Sequence, residues 1–282
     1  MKFQLHATGM ESLARCGIAF ERRTILRQKT PPNARMVIGT AVDRSVRKNL
    51  QHKIDTGGEL ITVEQARDEA RDALVEQWNL GIQASEEDRE DGASEKDKAL
   101  DMSVNLAGLH HVALAPSLAP THVARKWALD VAGLGIQVVG EIDIQEGRSS
   151  IRDTKTSGKS PVKTLADTSL QLSTYALAVR QIDGAIPGRV VLDYLVQTPK
   201  RGDTKLIHLT SERSDADLQP VLERIALMDR IIESGNFTPA PIDSWQCAAR
   251  WCPYHPGAGG EFSNCKYAAH PVTVAQPNEG AR

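Results

Sequence analysis

No stretch of the chain approaches the ~18 consecutive apolar residues that a bilayer-spanning helix needs, and the N-terminus carries no signal-peptide pattern. The expectation is a cytoplasmic protein with no membrane-embedded part. There is also no Gly-x-x-x-x-Gly-Lys-Ser/Thr loop, which excludes an ATP-driven motor of the chain's own. No internal repeat and no long low-complexity segment is visible, so a solenoid or a fibre is not expected. Cysteine is scarce, at four in 282 residues. A reducing compartment does not sustain disulfides, so these four are better read as metal ligands.

What is present is ordinary in bulk and uneven in detail. Forty per cent apolar and 25 % charged residues are typical of a soluble globular protein, and the length allows one large core with a helical insertion. The net charge of −2 conceals an asymmetry. Residues 1–50 hold ten Lys/Arg against three Asp/Glu, about +7, whereas 51–101 hold six against fifteen, about −9. A basic leading segment suits a phosphate-binding surface; it suits a solvated helix face equally well, and charge alone does not decide.

Periodicity divides the chain into helices followed by strands. Helices are expected over 11–27, ended by Pro31 and Pro32, from Gly39 toward His52, and over 63–80 behind a Thr62/Gln65 capping box. A further helix is expected over about 95–114, after an acidic solvated stretch that begins at Ala84. Strands follow over 123–131, 136–145 and 150–156, a helix over 165–181, strands over 190–197 and 205–210, and a helix over 215–233. The remainder is irregular and holds three of the four cysteines.

The informative stretch is Gly140-Glu141-Ile142-Asp143 followed by Ile151-Arg152-Asp153-Thr154-Lys155-Thr156. Alternate residues of a strand share a face, so Glu141 goes with Asp143 and Asp153 with Lys155. A turn of three or five residues centred on Arg148 sets Asp143 opposite Asp153 and Glu141 opposite Lys155; a two-residue turn separates them. Two opposed carboxylates are unfavourable without a cation between them, and such oxygen ligands suit Mg²⁺ or Mn²⁺. The alternative is an exposed hairpin whose carboxylates are satisfied by Lys155 and Arg152, and spacing leaves both open.

Gly-x-Ile-Asp, a turn, then Ile-x-Asp-x-Lys-Thr resembles the core of the PD-(D/E)XK nucleases in their RecB-like branch. Gln171-Leu172-Ser173-Thr174-Tyr175 is similar to that branch's Gln-x-x-x-Tyr motif, and Gly39-Thr40-Ala41-Val42 to the start of its Gly-x-x-x-His motif. The resemblance implies an α/β fold with a restriction-endonuclease-like core. It implies that Asp143 and Asp153 bind the divalent ion, Mg²⁺ or Mn²⁺, with the Thr154 carbonyl. Lys155 then positions the attacking water, and Gln171 and Tyr175 hold the active site or the DNA backbone. Where the family has a metal-binding histidine this chain has Asp43, an acceptable ligand for a hard cation and equally a mark of a weakened enzyme or a plain surface residue.

Four thiolates suit either a [4Fe–4S] cluster or Zn²⁺. One early cysteine, Cys16, with the late Cys247, Cys252 and Cys265 resembles the iron–sulfur staple of RecB-like and CRISPR-associated nucleases, although the Gly-rich gap before Cys265 is longer than that pattern. His255 is a lesser candidate ligand, and Trp245 and Trp251 are expected to shield the cluster. His110 and His111, about 100° apart on a helix, are expected to be structural or surface residues.

Together these imply a helical region over 1–120, a nuclease core over 121–235 and a C-terminal iron–sulfur staple over 236–282. The implied activity is metal-dependent exonucleolytic hydrolysis of DNA, on single strands or duplex ends, in recombination, repair or phage DNA processing. A helicase, a recombinase or a CRISPR adaptation complex is the kind of partner that fits. The alternative is a catalytically weak or inactive DNA-binding or scaffold subunit of a nuclease complex, which Asp43 favours.

Overall fold

The computed structural model describes residues 2–82, 92–198, 203–241 and 243–268; the acidic residues 84–91 lie outside them. Two compact units are formed, Met1–Glu11 with Pro31–Gly235, and Ser12–Thr30 with Asn236–Arg282. No helix of the described residues is long and apolar enough to cross a membrane.

The larger unit is a mixed α/β structure. Its strands are β1 (Phe3–His6), β2 (His122–Asp130), β3 (Ile136–Glu146), β4 (Ser150–Ser157), β5 (Arg189–Gln197) and β6 (Thr204–Ser211). Its longer helices are α3 (Ala34–Thr56), α4 (Val63–Asn79), α5 (Gly92–Leu109), α6 (Leu170–Asp183) and α7 (Asp215–Ser234); α1 (Ala7–Arg15) begins in this unit, and the short α2 (Gly17–Phe20) belongs to the smaller one. Side-chain caps start several of them: Asn33 before α3, Ser169 before α6, and the expected Thr62/Gln65 capping box before α4.

The helix expected over 11–27 is broken at Cys16, whose backbone is extended (φ −159°) and whose sulfur accepts the Ala19 N–H, so that α2 begins afresh there. Strand β1 has only four residues and buries only Leu5 fully, too little alternation to read from sequence. The residues described after Gly92 are helical throughout 92–109, where the sequence reads as loop as far as about 95.

The sheet runs β1-β3-β4-β5-β6, with β2 also on β3. Strand β2 pairs with β3 along almost its whole length, so β1 and β4 must share the opposite edge. Strand β1 takes it at Ile136–Val139 and β4 only at Ile144–Glu146. Between those two pairings lie Gly140, Glu141, Ile142 and Asp143, on an edge that neither neighbour covers. Strand β4 diverges because it pairs in parallel with β5 over all eight of its residues.

Ile144 and Leu195 from the sheet pack with Val37, Val42, Leu50, Leu74 and Leu106 of α3, α4 and α5 in one buried cluster. Asp229 of α7 accepts the N–H groups of Gly135 and Ile136 and so fixes the start of β3. His110 is buried and its ring is held neutral, burial lowering its pKa to about 4; His111 bonds the Ile61 carbonyl at 2.6 Å. Both are structural, as expected.

In the smaller unit, Gly17 lies so close to the Thr238 backbone that a β-carbon would come within 2.7 Å. Arg22 bonds Asn264 at 2.7 Å and the Phe262 carbonyl at 3.0 Å, and the Tyr254 hydroxyl donates to the Gln28 carbonyl. These bonds join segments that are more than 200 residues apart in sequence.

Gly140 is paired with Trp127 across β2–β3, and a β-carbon at 140 would lie 2.5 Å from the indole ring. Gly140→Ala is therefore expected to cost about 1–3 kcal/mol in urea unfolding, the range for overpacking a core. The same change in a Trp127→Leu background is expected to cost little.

Candidate active site

The fork in the sheet opens a cleft of about 480 Å³. Its walls come from the β1–α1 junction (His6, Ala7, Thr8), from α3 (Gly39, Thr40, Asp43, Arg47), from β3 (Gly140, Glu141, Asp143), from β4 (Asp153, Thr154, Lys155) and from α6 (Gln171, Tyr175). Spacing of four along α3 brings Gly39, Asp43 and Arg47 to one face.

The register of the hairpin puts the carboxylates together. Ile144 pairs with Arg152, Gln145 with Ile151 and Glu146 with Ser150, around a three-residue turn centred on Arg148. Continued, that frame sets Asp143 against Asp153. The ladder opens beyond Ile144, and Glu141 does not reach Lys155 as the continued register implies. Lys155 instead lies 2.7 Å from Asp153 Oδ2 and donates to Gln171 Oε1 at 3.0 Å. Gln171 Nε2 in turn donates to the Tyr175 hydroxyl at 2.7 Å. Asp143 accepts the Thr154 N–H at 3.1 Å. Lys155, Gln171 and Tyr175 thus form one chain of hydrogen bonds beside the two aspartates.

The electrostatics follow from burial. Desolvation, then the neighbouring Asp153 and Asp43, push Asp143 up to about 8. Asp153 is also raised, by burial, although Lys155 pulls the other way. Burial works against the Lys155 ammonium, but Asp153 and Asp143 outweigh it and hold its pKa above the ordinary value. Tyr175 is pushed well above the phenol range by burial and by the field of the same two aspartates, so it stays protonated.

The ion pair at Asp153 Oδ2 is off the direction of a proper hydrogen bond, and the buried Thr154 hydroxyl has no hydrogen-bond partner among the described residues. Two hard carboxylates, one with an oxygen left without a hydrogen bond, fit a divalent cation. No three His, Cys, Asp or Glu side chains among the described residues are already drawn together as a metal-holding group. In the cleft each carboxylate is engaged by a cation or an N–H.

Asp43 lines the cleft with its carboxylate on Arg47, Nε to Oδ2 2.6 Å, and Arg47 Nη1 also meets Glu141. Burial raises the Asp43 pKa despite Arg47. Arg47 was not singled out in the sequence; its place four residues after Asp43 and eight after Gly39 is the signal that could have found it.

The four cysteines are free thiols in the smaller unit. Cys265 packs with Ile18, Tyr254 and Ala268, and Cys16, Cys247 and Cys252 border that cluster. Burial raises the Cys252 pKa, with smaller contributions from Cys16, Cys247 and Cys265, so all three lie within electrostatic reach. His255 caps a short turn by accepting the Gly257 N–H. Trp245 and Trp251 pack edge to face on each other and are 65 % and 44 % exposed.

The family model of the PD-(D/E)XK nuclease superfamily matches residues 4–256. The chain belongs to the PD-(D/E)XK nuclease superfamily. A solved structure from Eubacterium rectale, provisionally titled an exonuclease, superposes with a TM-score of 0.50 at 15 % identity, covering 84 % of each chain, a likeness of fold. The structure of SSO0001 has a TM-score of 0.39 at 12 % identity and covers 96 % of this chain and 89 % of that one. No curated protein matches in sequence.

For this superfamily member the raised Asp143 pKa has a consequence for stability without metal. A carboxyl whose folded pKa lies above its unfolded value stabilises the fold at low pH, and the contribution is lost as pH rises through the folded value. Metal-free protein is therefore expected to lose thermal stability between about pH 4 and about pH 8 through this group. Asp143→Asn is expected to be more stable than wild type at the upper end of that window, with the difference vanishing at the lower end, by thermal unfolding in chelator.

Proposed function

We propose that the protein is a metal-dependent deoxyribonuclease of the RecB-like kind, acting as an exonuclease on single strands or duplex ends. The observation that carries this reading is the meeting of Asp143, Asp153, Lys155, Gln171 and Tyr175 in one cleft, in a chain of this superfamily. The provisional exonuclease title of the Eubacterium rectale structure is consistent with it.

Asp143 and Asp153, with the Thr154 carbonyl, would hold Mg²⁺ or Mn²⁺. A divalent ion there supplies Lewis-acid polarisation of the phosphodiester and offsets its charge. Lys155, kept cationic by Asp153 and aimed by Gln171, positions the attacking water and meets the negative charge that grows on the phosphate. Tyr175 accepts from Gln171 and is protonated, so it keeps a proton to donate toward the backbone of the substrate.

The thiols of Cys16, Cys247, Cys252 and Cys265 would carry a [4Fe–4S] cluster, with Zn²⁺ as the alternative. Their gathering at one cluster, with Cys252 within electrostatic reach of the other three, supports a shared site. Such a cluster would tie residues 12–30 to the chain after 236 and contribute to stability more than to chemistry.

The ion pair of Asp43 with Arg47 favours a second reading, a binding or scaffold subunit whose site no longer cuts. Cleavage of end-labelled single- and double-stranded DNA with Mg²⁺ or Mn²⁺ separates the two. Nuclease action predicts metal-dependent cutting, reduced about 10²–10⁴-fold in Asp143→Asn and Lys155→Ala. Folded, metal-loaded protein that leaves both DNAs intact would establish the second reading instead.

Anaerobically purified protein is expected to be brown and to hold about four irons per chain. Cys252→Ser is expected to lose the iron together with thermal stability. A colourless wild type containing zinc and no iron would make the site a zinc site, and a Cys252→Ser protein of undiminished stability would refute the structural role.

A further inference from the structure

The guanidinium of Arg47 lines the same cleft as the Asp143–Asp153 pair. Its helix delivers it with Asp43 to the cleft wall, and its fork reaches two carboxylates at once: Nε to Asp43 at 2.6 Å and Nη1 to Glu141. Asp43 and Glu141 line the same cleft as Asp143 and Asp153, so without the guanidinium each would face like charge. Two adjacent oxygen ligands beside an occupied carboxylate pair are what a second ion, about 3.5–4 Å from the first, requires in two-metal phosphodiester cleavage.

Charge points the same way. The cleft is lined by four carboxylates, Asp43, Glu141, Asp143 and Asp153, and by two cations, Arg47 and Lys155. Fully ionised, the set carries two negative charges, which one divalent ion neutralises. A second divalent ion would leave a surplus of two positive charges among partly buried groups, with the desolvation cost that entails. Arginine is suited to the place because it does not deprotonate and because its planar fork binds two oxygens in fixed geometry.

We propose that Arg47 is a built-in cation that fills the second metal position, so that the cleft binds one divalent ion per chain. Arg47 acts as a positioning residue: it holds Asp43 and Glu141 off the ion-binding pair and keeps the site single. This rests on the reading of Asp143 and Asp153 as the metal pair. It also gives the Asp43 substitution a purpose, because an aspartate pairs with the arginine one turn later as a neutral histidine would not.

Mn²⁺ binding to the wild-type chain, counted by the loss of the free-ion resonance and by calorimetry, tests this without reference to activity. One tight Mn²⁺ per chain is expected in wild type and in Arg47→Lys, and two in Arg47→Ala. Arg47→Gln, which keeps the stem and removes the charge, gives the same count of two should the alanine variant fail to fold. Adding Asp43→Asn to the charge-removing variant is expected to return the count to one. Two ions in wild type, or one in both charge-removing variants, would overturn the proposal alone. No Mn²⁺ in wild type would overturn the metal pair and Arg47's role together.

Discussion

Strand β3 is paired along one edge by β2 and, on the other, is taken by β1 at its start and by β4 at its end. Everything distinctive about the larger unit follows from the four residues left between. Strand β4 turns away to pair fully with β5, and this holds Asp143 and Asp153 across an open wedge instead of a closed ladder. Two buried carboxylates so placed cannot both ionise without a nearby positive charge. The side chains that surround them, Lys155 on one flank and Arg47 with Asp43 and Glu141 on the other, are the fold's partial answer. On the proposed reading a divalent ion completes it.

The same logic recurs in the smaller unit with softer donors. Four thiols from segments far apart in sequence line one cluster, and burial with the nearby thiols makes Cys252 costly to ionise. Metal binding to donors of this kind is coupled to folding, since the ligands must give up protons and are gathered only in the folded chain. On the proposed reading a metal would act in both places as a structural term as well as a chemical one, through hard oxygen donors in one and sulfur in the other.

Much of this was legible because parity and helical spacing are strong constraints. A turn centred on Arg148 can bring Asp143 only to Asp153, and Gln171 and Tyr175 can share only one helix face, where they are hydrogen-bonded. What escaped was what depends on a third element. Glu141 was aligned with Lys155 by the hairpin alone, and only the departure of β4 toward β5, with Arg47 arriving from α3, redirects both side chains. Strand β1 exists because an edge of β3 is free, not because Phe3–His6 alternates clearly. The break at Cys16 reflects a cysteine acting as a helix cap, a role that composition does not announce.

On the proposed reading, the Asp143–Asp153 pair exists to share a cation. The most direct test of this is the proton count on binding Mg²⁺ or Mn²⁺ at neutral pH, from calorimetry in two buffers of different ionisation heat. With Asp143 raised to about 8, the metal-free pair holds a proton that the ion must displace. The account predicts release of about one proton per ion bound, absent in Asp143→Asn. Binding of the ion with no proton release in wild type would contradict it.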